Sequence, residues 1–193
     1  MGILTTAGTT LQLDGSPFPY QGLTFFNALY NDAFNESDEA RRKYLCYFSS
    51  WGINALRIWG DWRTTNGWID EGPEQSLWVY PRHEGRNVLY EPEGALNREP
   101  VERLKRLLAL ADELGMVVEL ALFTHYMVYP VRTRDEYLQR ITRELLPWRN
   151  CIFQVWNEYD DHVLRHYETV KLIDADRLVT NSPGGAGVLG RAV

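Results

Sequence analysis

Basic clusters are missing from this sequence. Its formal net charge of −6 is spread over 193 residues of mixed sign, so no cationic stripe offers itself to nucleic acid. Long apolar runs are also missing: none approaches the roughly 18 residues of a membrane span. The first ten residues, Met1 to Thr10, hold no basic stretch followed by an apolar one. They do not read as a signal peptide, and removal of a leader would leave the compartment open. Cysteine is scarce. Cys46 and Cys151 cannot build a disulfide framework and are expected to be buried thiols. No G-x-G-x-x-G or G-x-x-x-x-G-K follows an early strand, which argues against a nucleotide-binding sheet. No His/Asp cluster shows metal-ligand spacing, so no metal or other cofactor is expected. His162 and His166 stand four apart but lack the glutamate of H-E-x-x-H, and they read as a solvated helix face.

Apolar residues make up 45% of the chain, enough for one domain with a real core, spanning residues 1–193. Aromatics are in excess: seven Trp and eleven Tyr exceed what a core of this size needs, so some should line a cleft. Residues 10–20 predict a hairpin, with Leu11 and Leu13 alternating and Asp14-Gly15 at the turn. A short strand follows at 22–26. Ser37 opens a helix with Asp38 and Glu39 in its first turn and Ala40, Tyr44, Tyr47, Phe48 and Trp51 on one face, ending at Gly52. Ile53 to Ile58 is the next strand. A long irregular stretch runs from about Gly60 to Glu99.

Pro100 suits the first turn of a second helix, whose stripe runs from Val101 through Leu104, Leu107, Leu108 and Ala111 to Leu114, with Gly115 as its cap. Residues 116–123 read as a strand buried on both faces. Thr133 and Glu136 form a capping-box pair for a third helix that Pro147 stops. Residues 151–156 are a fourth strand, and Asp160 or Asp161 caps a fourth helix to about Ile173. A fifth strand begins at 178–180.

Strands alternating with amphipathic helices imply an α/β fold with a parallel sheet, either doubly wound or a barrel that the hairpin plugs from below. In both, function gathers where strands end. The strand ends carry Phe26, Asn27 and Tyr30; Arg57, Trp59 and Asp61; His125 and Tyr126; Trp156, Asn157 and Glu158; Asn181 and Ser182. Such a set of polar and aromatic side chains at one mouth is more than a scaffold requires. Glu158 beside Trp156, near the end of a buried strand, is expected to be partly desolvated, which favours its protonated form. The alternative makes Glu158 merely the first charge of the following helix.

Phe153-Gln154-Val155-Trp156-Asn157-Glu158 resembles the strand-4 Asn-Glu motif of the clan A glycoside hydrolases, especially the cellulase-like family 5 group. Gly52 through Trp59 is similar to that group's strand 2, which ends in an active-site arginine, here Arg57. His125 lies where several members carry a histidine, and Asp14-Gly15-Ser16-Pro17-Phe18 resembles their N-terminal hairpin. The resemblance implies a parallel (β/α)8 barrel of which this chain holds about strands 1 to 5. It implies a retaining glycosidase with Glu158 as acid/base, Asn157 on the sugar 2-hydroxyl and Arg57 orienting the nucleophile. The two carboxyls of such a pair lie about 5–5.5 Å apart. The family nucleophile ends strand 7, and only 35 residues follow Glu158. The chain is therefore expected to be part of a longer enzyme, or else a half-barrel that self-associates through its exposed edges.

His125, Tyr126, Trp59 and Asn27 are candidate substrate contacts, and Trp62 and Trp68 in the long loop are candidate sugar subsites; Trp78 and Tyr80 lie in the same loop. The alternative for each loop aromatic is packing onto the barrel. The partner expected is a carbohydrate, with no nucleic acid and no membrane. Rival readings are a non-catalytic carbohydrate-binding protein and an assembly fragment on the same scaffold.

Overall fold

A computed structural model describes residues 2–61, 88–91, 94–124 and 130–182. Three short strands, β1 (Leu4–Ala7), β2 (Thr10–Leu13) and β3 (Ser16–Pro17), form an antiparallel sheet. Asp14 and Gly15 turn β2 into β3 at φ 51° and 77°, as an Asp-Gly turn demands. β1 is an addition to the expected hairpin. Only Leu4 of its four residues is buried, so it carries no alternation for a sequence reading to find.

Five parallel strands follow: β4 (Gly22–Thr24), β5 (Ala55–Trp59), β6 (Val117–Thr124), β7 (Cys151–Asn157) and β8 (Val179–Ser182). They lie side by side in chain order. A doubly wound sheet reverses direction at a switch point; an unbroken β4-β5-β6-β7-β8 order is the progression of a barrel wall. The helices between them are α1 (Asp32–Asn35), α2 (Asp38–Ser50), α3 (Arg98–Glu113), α4 (Val131–Glu144) and α5 (Val163–Lys171).

Local chemistry explains most helix ends. Ser37 accepts from the Ala40 amide at 3.0 Å, and Gly52 at φ 78° closes α2. On α3, Val101, Leu104, Leu107, Leu108 and Ala111 are buried as the stripe predicts, and Gly115 follows at φ 66°. Two expected caps are corrected. α4 begins at Val131 behind Pro130, so Thr133 is interior, and Glu136 pairs with Arg132 at 3.0 Å. Proline lacks an N–H and does not need one at a helix start. α5 begins behind His162, which has no capping hydrogen bond, because Asp161 is engaged by Arg134.

Two cores hold the fold. The larger packs Leu56, Ile58, Val118, Leu120, Phe153 and Val155 of the strands against the helices. The smaller packs Leu4 and Phe18 of the N-terminal region against Ala55, Val117 and Ile152, with Leu11, Leu13 and Leu178 around them. These three strand residues lie at or next to the N-terminal ends of β5, β6 and β7, so the hairpin region floors the half-barrel. Burying a side chain such as Phe18 contributes about 1.5–3 kcal/mol.

The cysteines and histidines differ from expectation. Cys151 is buried and its thiol is pushed up to about 12 by burial, but Cys46 is exposed. His166 is fully buried rather than solvated. Val163 and Val170 stand three before it and four after it, so all three share the inward stripe of α5. Its Nδ1 lies 3.3 Å from Asp135 of α4.

Candidate functional site

The inner face of the sheet is read from alternate residues. At the bottom lie Ala55, Val117 and Ile152 against the floor. One step up come Arg57, Glu119 and Gln154. Arg57 reaches toward the C-terminal mouth and donates from Nε to Gln154 Oε1 and from Nη2 to Asn157 Oδ1, each at 2.6 Å. One guanidinium thus ties β5 to two residues of β7, a fork only arginine offers. Asn157 is buried, and Arg57 occupies its side-chain oxygen, which leaves the amide N–H groups as its remaining donors.

Strict alternation would put Trp156 inside with Ile152 and Gln154. A register shift between Gln154 and Asn157 changes this, as a bulge near a site often does. Trp156 turns to the helix layer, against Phe123, Tyr159 and His166, and Asn157 takes the inner face. Glu158 follows at φ 57° and is exposed. The expected desolvation of Glu158 by Trp156 is therefore corrected: the indole is buried on the other side of the sheet.

Trp59 ends β5 with its ring 4.5 Å from that of Phe26, and its amide donates to the Phe26 carbonyl. Asn27 is buried in the adjacent loop, where its carbonyl accepts from the Tyr30 amide at 2.8 Å. Tyr30 donates to the Gly60 carbonyl at 2.6 Å, which links the loops after β4 and β5. Lower down, Tyr20 donates to Glu119 at 2.6 Å. Burial and that carboxylate raise the phenol well above its ordinary range.

No protein-family model matches the sequence, and no curated protein does. Solved structures do match. A putative glycoside hydrolase from Bacteroides vulgatus aligns with TM-score 0.70 at 17% identity over 95% of this chain and 39% of that one. A β-1,4-D-mannanase from Cryptopygus antarcticus aligns with TM-score 0.62 at 14% identity over 95% of this chain and 61% of that one. The β-mannanase of the blue mussel Mytilus edulis gives 0.60 at 13% identity, over 94% and 63%.

The fold is that of the family 5-like glycoside hydrolase barrels. This chain spans about 40–60% of the length of those proteins, which agrees with five strands of an eight-stranded wall.

Within the barrel wall, Arg57 and Asn157 are brought together, Glu158 adjoins them in sequence, and Trp59 and Asn27 occupy neighbouring loops at the mouth. His125, Tyr126, Trp62, Trp68, Trp78 and Tyr80 lie outside the described residues. Two groups near the site escaped the sequence reading. Gln154 and Glu119 are polar residues at alternate positions of otherwise apolar strands, which was signal enough. Asn181 was read as a mouth residue, but its work is structural: Oδ1 accepts from the Trp156 amide at 2.9 Å and Nδ2 donates to the Tyr159 carbonyl at 3.0 Å. Among the described residues, no three His, Cys, Asp or Glu side chains gather as a metal site.

Proposed function

We propose that this chain is the acid/base-bearing part of a retaining glycosidase that cleaves β-linked sugars, with Glu158 as the proton donor. The observation that carries the reading is the Arg57–Asn157 pair at the mouth, with Glu158 next in sequence after the fourth parallel strand. Asn157, oriented by Arg57, keeps its amide donors for a sugar hydroxyl. Exposure leaves Glu158 within reach of a glycosidic oxygen in a bound substrate. Trp59 offers an aromatic face, and His125, Tyr126, Trp62 and Trp68 are proposed as further substrate contacts.

A retaining mechanism needs a second carboxylate about 5–5.5 Å away. Glu119 does not serve. It accepts from Tyr20 at 2.6 Å and shares a layer with Arg57 and Gln154, so four residues of strand at ~3.3 Å each put its backbone roughly 13 Å below that of Glu158. The nucleophile belongs to the part of the wall beyond β8. Mannan is the first substrate to try, since several of the matched structures are mannanases; β-glucan and xylan complete the panel.

The test is reducing-end release by the folded chain and its Glu158→Gln variant, alone and joined to the remaining strands of the barrel. Hydrolysis is expected to fall by about 100-fold or more in the variant, the range of a lost general acid. Oligosaccharide binding that survives without any hydrolysis in the joined protein would favour a carbohydrate-binding role and overturn the catalytic one.

A further inference from the structure

The segment joining β7 to α5 contains two non-glycine residues in the left-handed region, Glu158 at φ 57° and His162 at φ 52°. Each costs on the order of 1–3 kcal/mol and persists only where its surroundings enforce it. Among the described residues no hydrogen bond holds the Glu158 carboxyl, so its direction is set by its backbone.

That backbone is gripped from two sides. From β8, Asn181 bonds the Trp156 amide and the Tyr159 carbonyl, and these two bonds straddle Asn157 and Glu158. From the helix layer, the Trp156 indole donates to the Asp161 carbonyl at 2.8 Å, and Arg134 of α4 donates to Asp161 Oδ2 at 2.6 Å. The Arg134 guanidinium lies 5.0 Å over the Trp156 ring, with its side chain only 3% exposed. A cation this buried is tolerated only when paired. Asp135, next to it, binds Arg165 at 2.6 Å and His166 at 3.3 Å. α4 is thereby fixed to α5, and Arg134 is held in register with Asp161.

We infer that Asn181 and the Arg134–Asp161 pair are positioning residues that fix the left-handed backbone of Glu158 and so aim its carboxyl at the mouth. The consequence for hydrolysis rests on the acid/base reading above; the mechanical grip does not. Without the outer contact, the 158–162 segment relaxes toward the ordinary right-handed or extended regions, and the carboxyl swings with it.

The experiment is amide hydrogen exchange on the full chain, read by mass spectrometry at single-residue resolution, for Asp161→Asn, Asn181→Ala and Arg134→Lys. The informative reporters for Asp161→Asn are the amides of Trp156 and Val163, which bond to Asn181 and Asp160 rather than to Asp161. Their exchange is expected to rise by about tenfold, with the amides of α4 and the body of α5 unchanged. Arg134→Lys, which keeps the charge, gives a smaller rise. In any preparation that hydrolyses mannan, kcat is expected to fall by about tenfold in Asp161→Asn with KM unchanged.

Unchanged exchange at Trp156 and Val163, or a rise spread evenly along α4, overturns the grip. Loosened exchange with an undiminished kcat overturns its role in aiming Glu158. If the wild-type chain joined to the remaining strands of the barrel hydrolyses nothing, the acid/base reading fails, and the exchange result still decides whether the segment is gripped.

Discussion

Arg177 is the most heavily bonded side chain of the lower half. It is 1% exposed and donates to the carbonyls of Leu145, Trp148 and Cys151 and to Asp174. Its guanidinium lies 4.9 Å over the Phe153 ring, while Asp174 takes a second cation, Arg149, at 2.6 Å. Replacement Arg177→Met strands three carbonyls and half of a buried ion pair, and is expected to cost about 3–5 kcal/mol in urea unfolding. His166 supplies a pH dependence. Burial first, and Arg134 second, depress it to about 4 from 6.5, against the pull of Asp135. The unfolded chain therefore binds a proton that the folded chain refuses between those values. Stability is fully present above pH 6.5 and is lost as the pH falls through that window to about 4. Urea midpoints measured across pH 7 to 4 should decline, and His166→Gln should flatten the slope over that range. Both residues were open to a closer sequence reading. His166 stands on the Val163/Val170 stripe, and Arg134 leads Tyr137, Leu138 and Ile141 at spacings of three, four and seven. A polar residue on an apolar helical stripe is buried by its neighbours.

At the scale of elements, strands and long helices were legible because periodicity reports burial directly. The α3 stripe and the all-apolar β6 and β7 are cases of this. What escaped was short or locally irregular. α1 spans four residues, too few for a period, and is held by Asn31 accepting from the Phe34 amide. The shift in β7 inverts Trp156 and Asn157 without any mark in composition, so a reading by alternation puts the indole on the wrong side of the sheet. The floor, by contrast, is a clean element-level dependence. Phe18 is buried against Ala55, Val117 and Ile152 through a contact core of its own, and Phe18→Ala should lower unfolding free energy by about 3 kcal/mol in denaturant titration. A loss near zero would mean that the hairpin is an ornament rather than a floor.

For the whole molecule, exposed apolar side chains mark where the structure stops. Tyr44, Tyr47 and Trp51 protrude from α2 at one flank, with Trp51 71% exposed; Leu164, Tyr167 and Leu172 protrude at the other, with Leu172 87% exposed. α3 and α4, in the middle of the helix layer, expose no large apolar side chain. β4 and β8 are the outer strands of the described sheet. Two apolar flanks beside the outer strands of the described sheet are surfaces prone to association. The chain by itself is expected to associate, with a sedimentation coefficient that rises with concentration. The double change Trp51→Glu with Leu164→Glu should reduce that rise. A single sharp monomer peak at every concentration would show that the flanks are inert.

The floor also sets a clock. Ile152, the last of its buried strand partners, lies 134 residues after Phe18 in the chain. At the ~5–20 residues per second of protein synthesis, the hairpin waits about 7–27 s between its own emergence and that of its final partner. During that interval Leu4, Leu11, Leu13 and Phe18 have no completed surface to cover them. This early segment is secured only late, and a nascent chain stalled before β7 would present those four side chains to whatever guards the ribosome exit.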